Sequence, residues 1–103
     1  MKFQDYLKRL DACQPAVDWV GNRGLKRAWH ECNDGRRMMW LLEKHSITPP
    51  AAYRKQLALI DAAYRKRRAP IDAAYRKQVA TLIREFWPEP PEAIATALKR
   101  AGR

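Results

Sequence analysis

The pentapeptide Ala-Ala-Tyr-Arg-Lys occurs three times in this chain, at residues 51–55, 62–66 and 73–77, so its copies are spaced eleven residues apart. Eleven residues carry an α-helix through about three turns, with a drift of only ~20°. Each residue type therefore returns to nearly the same side of a helix. Tyr53, Leu57, Ile60, Tyr64, Ile71, Tyr75, Val79 and Leu82 form an apolar stripe. Arg54, Lys55, Arg65, Lys66, Arg76 and Lys77 fall mostly opposite it, and Arg67 and Arg68 widen the cationic face at the middle copy. The expectation for residues 49–87 is a helical rod that separates apolar from basic side chains.

The middle copy departs from the pattern. Arg67, Arg68 and Pro70 stand where the first copy has Gln56, Leu57 and Leu59. Proline lacks the N–H that would bond the carbonyl of Lys66, and an interior proline costs a helix roughly 3 kcal/mol. A kink, a break between two helices and an unpacked midpoint all satisfy this. The absence of Gly or Asn for a tight reversal favours the kink. Asp61 and Arg65, like Asp72 and Arg76, are spaced as helical i,i+4 pairs, worth about 0.2–0.5 kcal/mol each.

The flanks read as short helices. Phe3, Tyr6, Leu7 and Leu10 recur at helical spacing. Pro15 suits the first position of a second helix carrying Ala16, Val17, Trp19 and Val20. Leu25, Ala28, Trp29 and Cys32 mark a third. Asp34 is placed to cap a fourth helix that carries Met38, Met39, Trp40, Leu41 and Leu42. Three prolines between Trp87 and Glu92 force an extended stretch before a terminal helix whose inner face is Ala93, Ile94, Ala97 and Leu98. The expected fold is all-α: a head at residues 1–48, the basic repeat as a long Pro-kinked helix at residues 49–87, and a proline-rich connector with a short helix at residues 88–103.

The formal net charge is +10, and residues 49–87 carry most of it, with nine Lys/Arg against three Asp/Glu. A basic surface of this density attracts acidic protein faces, nucleic acid or anionic lipid, or simply keeps a helix solvated. No apolar run is long enough to span a membrane and the N-terminus lacks a signal-peptide pattern, so a cytoplasmic protein with no membrane partner is expected.

Three segments carry a resemblance. They are Ala12-Cys13 with Ala16-Val17-Asp18-Trp19-Val20; Ala28-Trp29-His30-Glu31-Cys32 with Met39-Trp40-Leu41-Leu42; and the run from Leu82 to Pro91. Together they resemble a loosely characterised group of small helical proteins from phage and bacterial genomes, some bearing an immunity-protein label. The group also carries Ala/Tyr-rich helical repeats between such ends. The resemblance implies a phage or mobile-element origin and a host-cell cytoplasmic location. It supplies no catalytic residues. The turn Asn33-Asp34-Gly35-Arg36-Arg37 is basic here, where the group is acidic.

Catalytic and metal chemistry find little support. Cys13, His30, Cys32 and His45 lack the pairwise spacing of a zinc site, and two residues apart on a helix point about 200° apart. The single serine, Ser46, lies outside any nucleophile elbow, and no phosphate-cradling Gly-rich motif occurs. Cys13 and Cys32 are expected to fill core gaps, with a disulfide as the alternative. Trp19, Trp29 and Trp40 are expected in the core, while Trp87 suits either packing or a partner. The tyrosine stripe is expected to pack against a neighbouring helix; base stacking is the alternative. The leading functional expectation is a non-enzymatic, cofactor-free accessory protein that binds an acidic protein surface through its basic helical face. Sequence-tolerant nucleic-acid binding and homo-oligomerisation along the stripe are the alternatives.

Overall fold

The computed structural model describes residues 1–65 and 72–102. Among the described residues every regular element is an α-helix: α1 (Phe3–Arg9), α2 (Gln14–Val20), α3 (Leu25–Glu31), α4 (Gly35–Lys44), α5 (Ala51–Arg65), α6 (Asp72–Phe86) and α7 (Glu92–Ala101). The all-α expectation therefore holds. None of these helices is long and apolar enough to cross a membrane. The helices form two compact units, Met1–Glu31 with Glu89–Arg103, and Cys32–Pro88.

The first unit joins α1, α2, α3 and α7. Phe3, Tyr6 and Leu7 of α1, Val17 and Val20 of α2, Leu25, Ala28 and Trp29 of α3, and Ile94 of α7 are its buried side chains. Fully burying one side chain of this size stabilises by about 1.5–3 kcal/mol. Polar side chains tie helix to helix: the Gln4 amide donates to the Val17 carbonyl at 3.0 Å, and Arg9 donates to the Ala101 carbonyl at 3.2 Å. Helix α1 ends with Asp11 at φ 61°, where the Ala12 N–H reaches back to the Leu7 carbonyl and the Asp11 N–H to Lys8. This pattern satisfies the last carbonyls by a left-handed residue just past the helix.

The second unit is built on α6, which packs against both α4 and α5. Asp34 caps α4 as expected, its carboxylate accepting from the Arg36 N–H at 3.1 Å. Gly35 follows and is buried, because α4 begins hard against α6. A Cβ built on Gly35 would sit 2.4 Å from Val79 Cγ1 and 2.6 Å from the Ala80 backbone nitrogen. Met38, Leu41 and Leu42 then face Val79, Ala80, Leu82 and Ile83 within one buried core.

The single kinked helix expected over residues 49–87 does not form. Two helices of 15 residues each take its place, and they pack against each other antiparallel. Tyr53 at the start of α5 meets Phe86 and Trp87 at the end of α6, with ring centroids 5.7 and 5.6 Å apart. Tyr64 near the end of α5 meets Tyr75 near the start of α6 at 5.4 Å. The physical reason lies in the stripe itself. A lone rod leaves its tyrosines in water, whereas two halves folded back cover each other's apolar face. Pro70, on which the kink was placed, lies outside the described residues.

Two smaller expectations are also corrected. Cys13 is exposed rather than filling a core gap, and Cys32 alone is buried; both thiols are free. Of the three tryptophans expected in the core only Trp29 is fully enclosed. Trp19 and Trp40 are half-buried, and each carries a cation over its ring, Arg23 at 4.4 Å and Lys44 at 5.6 Å. A charged group one turn away covers a ring that the core leaves partly open.

Candidate functional site

The hairpin divides the basic face between two helices. On α5, Arg54, Lys55 and Arg65 are exposed, and Arg54 donates to the Pro49 carbonyl at 3.3 Å. On α6, Lys77 is exposed, while Arg76 is half-buried and turned toward α4. Lys66, Arg67 and Arg68 lie outside the described residues. A single helix would have set its dyads about 16.5 Å apart along one line. Antiparallel folding instead brings the Arg65 end of α5 beside the Arg76 end of α6 and sends Arg54 to the far end of the hairpin.

The apolar stripe serves packing within the second unit: its tyrosines join α5 to α6, and Val79 lies against the start of α4. Tyr53, Val79 and Leu82 are buried, and Leu57, Ile60, Tyr64 and Tyr75 are half-buried. Ile71 lies outside the described residues. Polar groups also join across the pair: the Tyr64 hydroxyl donates to Gln78 at 3.0 Å, and the Tyr75 hydroxyl donates to the Asp61 carboxylate. Leu59, off the stripe, is 72% exposed.

One charge assembly among the described residues was not legible as a unit in the sequence. It forms where the start of α4 meets α6. The Asp34 carboxylate, besides capping α4, takes the Arg76 guanidinium at 3.1 Å and that of Arg37 at 3.3 Å on the same Oδ2. The Arg36 guanidinium lies 5.5 Å from the centre of the Tyr75 ring. Arg84 donates to the Cys32 carbonyl just before the cap. The basic turn at residues 33–37 was the one local signal for this cluster. Its partners on α6 lie 39 to 52 positions away and become neighbours only by packing.

The titrating groups report the same surroundings. Burial, followed by the bond to Asp61 and that carboxylate's charge, pushes the Tyr75 hydroxyl up to about 12, while Arg36 and Arg65 pull it down. Burial likewise pushes Tyr53 up to about 12, and its hydroxyl has no hydrogen-bond partner among the described residues. Burial raises the Cys32 thiol as well, against the pull of its hydrogen bond with the Asp34 backbone. Among the described residues no group of three or more His, Cys, Asp or Glu side chains is arranged to hold a metal ion.

Such an arrangement can recognise anions. Guanidinium groups in a row of mixed Arg and Lys bind carboxylates and phosphates, Arg by paired N–H donors and Lys as a point charge. No protein-family model, curated protein or solved structure matches this chain.

Proposed function

We propose that this is a non-enzymatic protein that binds an acidic protein surface through the basic face of the α5–α6 hairpin. The observation that carries the reading is the division of Arg54, Lys55, Arg65 and Lys77 between two antiparallel helices. That division sets the exposed cations on two helices instead of along one line. A protein surface with scattered carboxylates fits such a face, and steering by the net charge favours its encounter. A phosphodiester strand would gain most from the linear row that a single long helix would have supplied. The similarity of the flanking segments to small phage and bacterial proteins favours a mobile-element origin and a role as an accessory in a host cell.

The test is a binding comparison. Fluorescence anisotropy is measured with a labelled polyglutamate peptide and with labelled single-stranded and duplex DNA, at about 0.15 M salt, where the screening length is about 8 Å. Binding of the acidic peptide in preference to either nucleic acid is expected, with loss of that binding in an Arg54→Glu/Lys55→Glu/Arg65→Glu/Lys77→Glu variant. Tighter binding of DNA, abolished by the same reversals, would overturn the proposal in favour of a nucleic-acid ligand.

A further inference from the structure

The outer side of α5 joins an exposed apolar side chain to a basic flank. Leu59 is 72% exposed, and among the described residues no other large hydrophobic side chain within a helix is this open to water. The repeat does not demand a leucine there. Twenty-two residues on, the same position of α6 holds Thr81, which is exposed and polar. Packing also differs between the two helices. Helix α6 packs against both α4 and α5, and its Val79 and Leu82 are buried, whereas their counterparts Leu57 and Ile60 on α5 are only half-buried. At about 100° per residue, Ile60 and Ala63 lie to one side of Leu59, and Lys55, Arg65 and Arg54 follow on the other. The open part of α5 is therefore amphipathic across its width, apolar on one flank and cationic on the other.

From this we infer that the outer side of α5 seats an amphipathic helix of the acidic partner, whose apolar residues cover Leu59 and Ile60 and whose carboxylates face Lys55, Arg54 and Arg65. This deepens the binding reading above, on which it rests, by naming the element that docks and the side chain that anchors it. Charge complementarity selects the occupant. A second copy would set Arg54, Lys55 and Arg65 against the same cations. The one carboxylate on α5, Asp61, already accepts from the Tyr75 hydroxyl, and a chain of net charge +10 repels itself. A phosphodiester strand satisfies the cations but stacks its bases on aromatic faces, not on a leucine. An acidic amphipathic helix answers both flanks at once, with apolar anchors one turn apart along Leu59 and Ala63 and charge beside them.

Two labelled peptides of equal net charge test this by anisotropy at about 0.15 M salt: polyglutamate, and a helical peptide with leucines on one face and glutamates on the others. The proteins are the parent, Leu59→Ala, Leu59→Met and the fourfold charge reversal above, each checked for helicity by circular dichroism. Alanine keeps the helix propensity of an exposed site, so Leu59→Ala should fold. The parent is expected to bind the amphipathic peptide on the order of tenfold more tightly than polyglutamate, the effect of one well-buried anchor. Leu59→Ala should erase most of that preference and leave polyglutamate binding unchanged, while Leu59→Met keeps the preference. No preference in the parent, or one that Leu59→Ala leaves intact, overturns this inference, and polyglutamate binding then leaves the hairpin reading standing. A parent dimer in analytical ultracentrifugation that Leu59→Ala dissolves gives the surface to a second copy and overturns it likewise. A parent that binds neither peptide, or binding that survives the charge reversal, overturns both.

Discussion

Two glycines, Gly24 just ahead of α3 and Gly35 at the start of α4, should respond very differently to the same added methyl group. At Gly35 a Cβ would lie 2.4 Å from Val79 Cγ1, 2.5 Å from Val79 Cβ and 2.6 Å from the Ala80 nitrogen. Ordinary carbon contacts are about 3.5–4.0 Å, so α4 must retreat from α6 by about 1 Å. Val79 and Ala80 are completely buried, so the retreat opens the centre of the second unit. Overpacking of this kind costs typically 1–3 kcal/mol, and the upper half applies because one contact is backbone, which no rotamer change relieves. The helix-propensity gain of Ala over Gly, at most ~1 kcal/mol, does not offset it. At about 4–8 °C per kcal/mol, Gly35→Ala should lower Tm by about 5–20 °C. At Gly24, nothing lies within 4 Å of the same Cβ. Gly24→Ala should therefore stay within ~0.5 kcal/mol of the parent. Thermal and urea unfolding followed at 222 nm measure both. Val79→Ala in the Gly35→Ala background removes Cγ1 but leaves the other two clashes, so it should not restore the parent midpoint. A Gly35→Ala protein as stable as the parent would refute the close approach of α4 to α6 on which the arginine cluster depends.

Further outcomes follow from the same core. Tyr53 and Tyr75 hold their protons up to about 12, against 10.0 for an ordinary tyrosine. Folded protein thus binds the proton more tightly, and this stability is complete below pH 10 and lost as pH rises from 10 through 12. The loss should reach about 1.4 kcal/mol per pH unit for the buried Tyr53 and less for the half-exposed Tyr75, read as a falling urea midpoint with tyrosinate absorbance at 295 nm. Tyr53→Phe removes a buried hydroxyl that no described residue satisfies, so it should match or exceed parent stability by ~1 kcal/mol and flatten that alkaline decline; a loss above 1 kcal/mol would place a partner on the hydroxyl. Ser46, just past the C-cap of α4, sits at φ 54°, with the Ile47 N–H bonded to the Leu42 carbonyl, so Ser46→Gly should stabilise by ~0.5–1 kcal/mol in a thermal melt, and a destabilised variant would count against the left-handed cap.

Periodicity alone was enough for the helical class and for the faces of most helices. Phe3, Tyr6 and Leu7, or Leu25, Ala28, Trp29 and Cys32, announce their burial because side chains three or four positions apart share a side. Asp34 announced its cap because a short acidic side chain before a helix meets unsatisfied N–H groups. These are local effects, settled within a turn or two of chain.

Tertiary structure decided what the stripe would touch. The eleven-residue period fixes which side of a helix is apolar but is silent on whether that side meets another helix, a second molecule or its own continuation. Pairing of Tyr53 with Phe86 and of Tyr64 with Tyr75 chose the last, and in doing so split the row of cations. Cluster and cap were separable in the same way: Arg36 and Arg37 stand beside Asp34 in the chain, while Arg76 reaches it only because α6 crosses the start of α4 where Gly35 leaves room. Short-range pattern sets the helices and their faces; the meeting of distant charges is a property of packing, which no window of sequence contains.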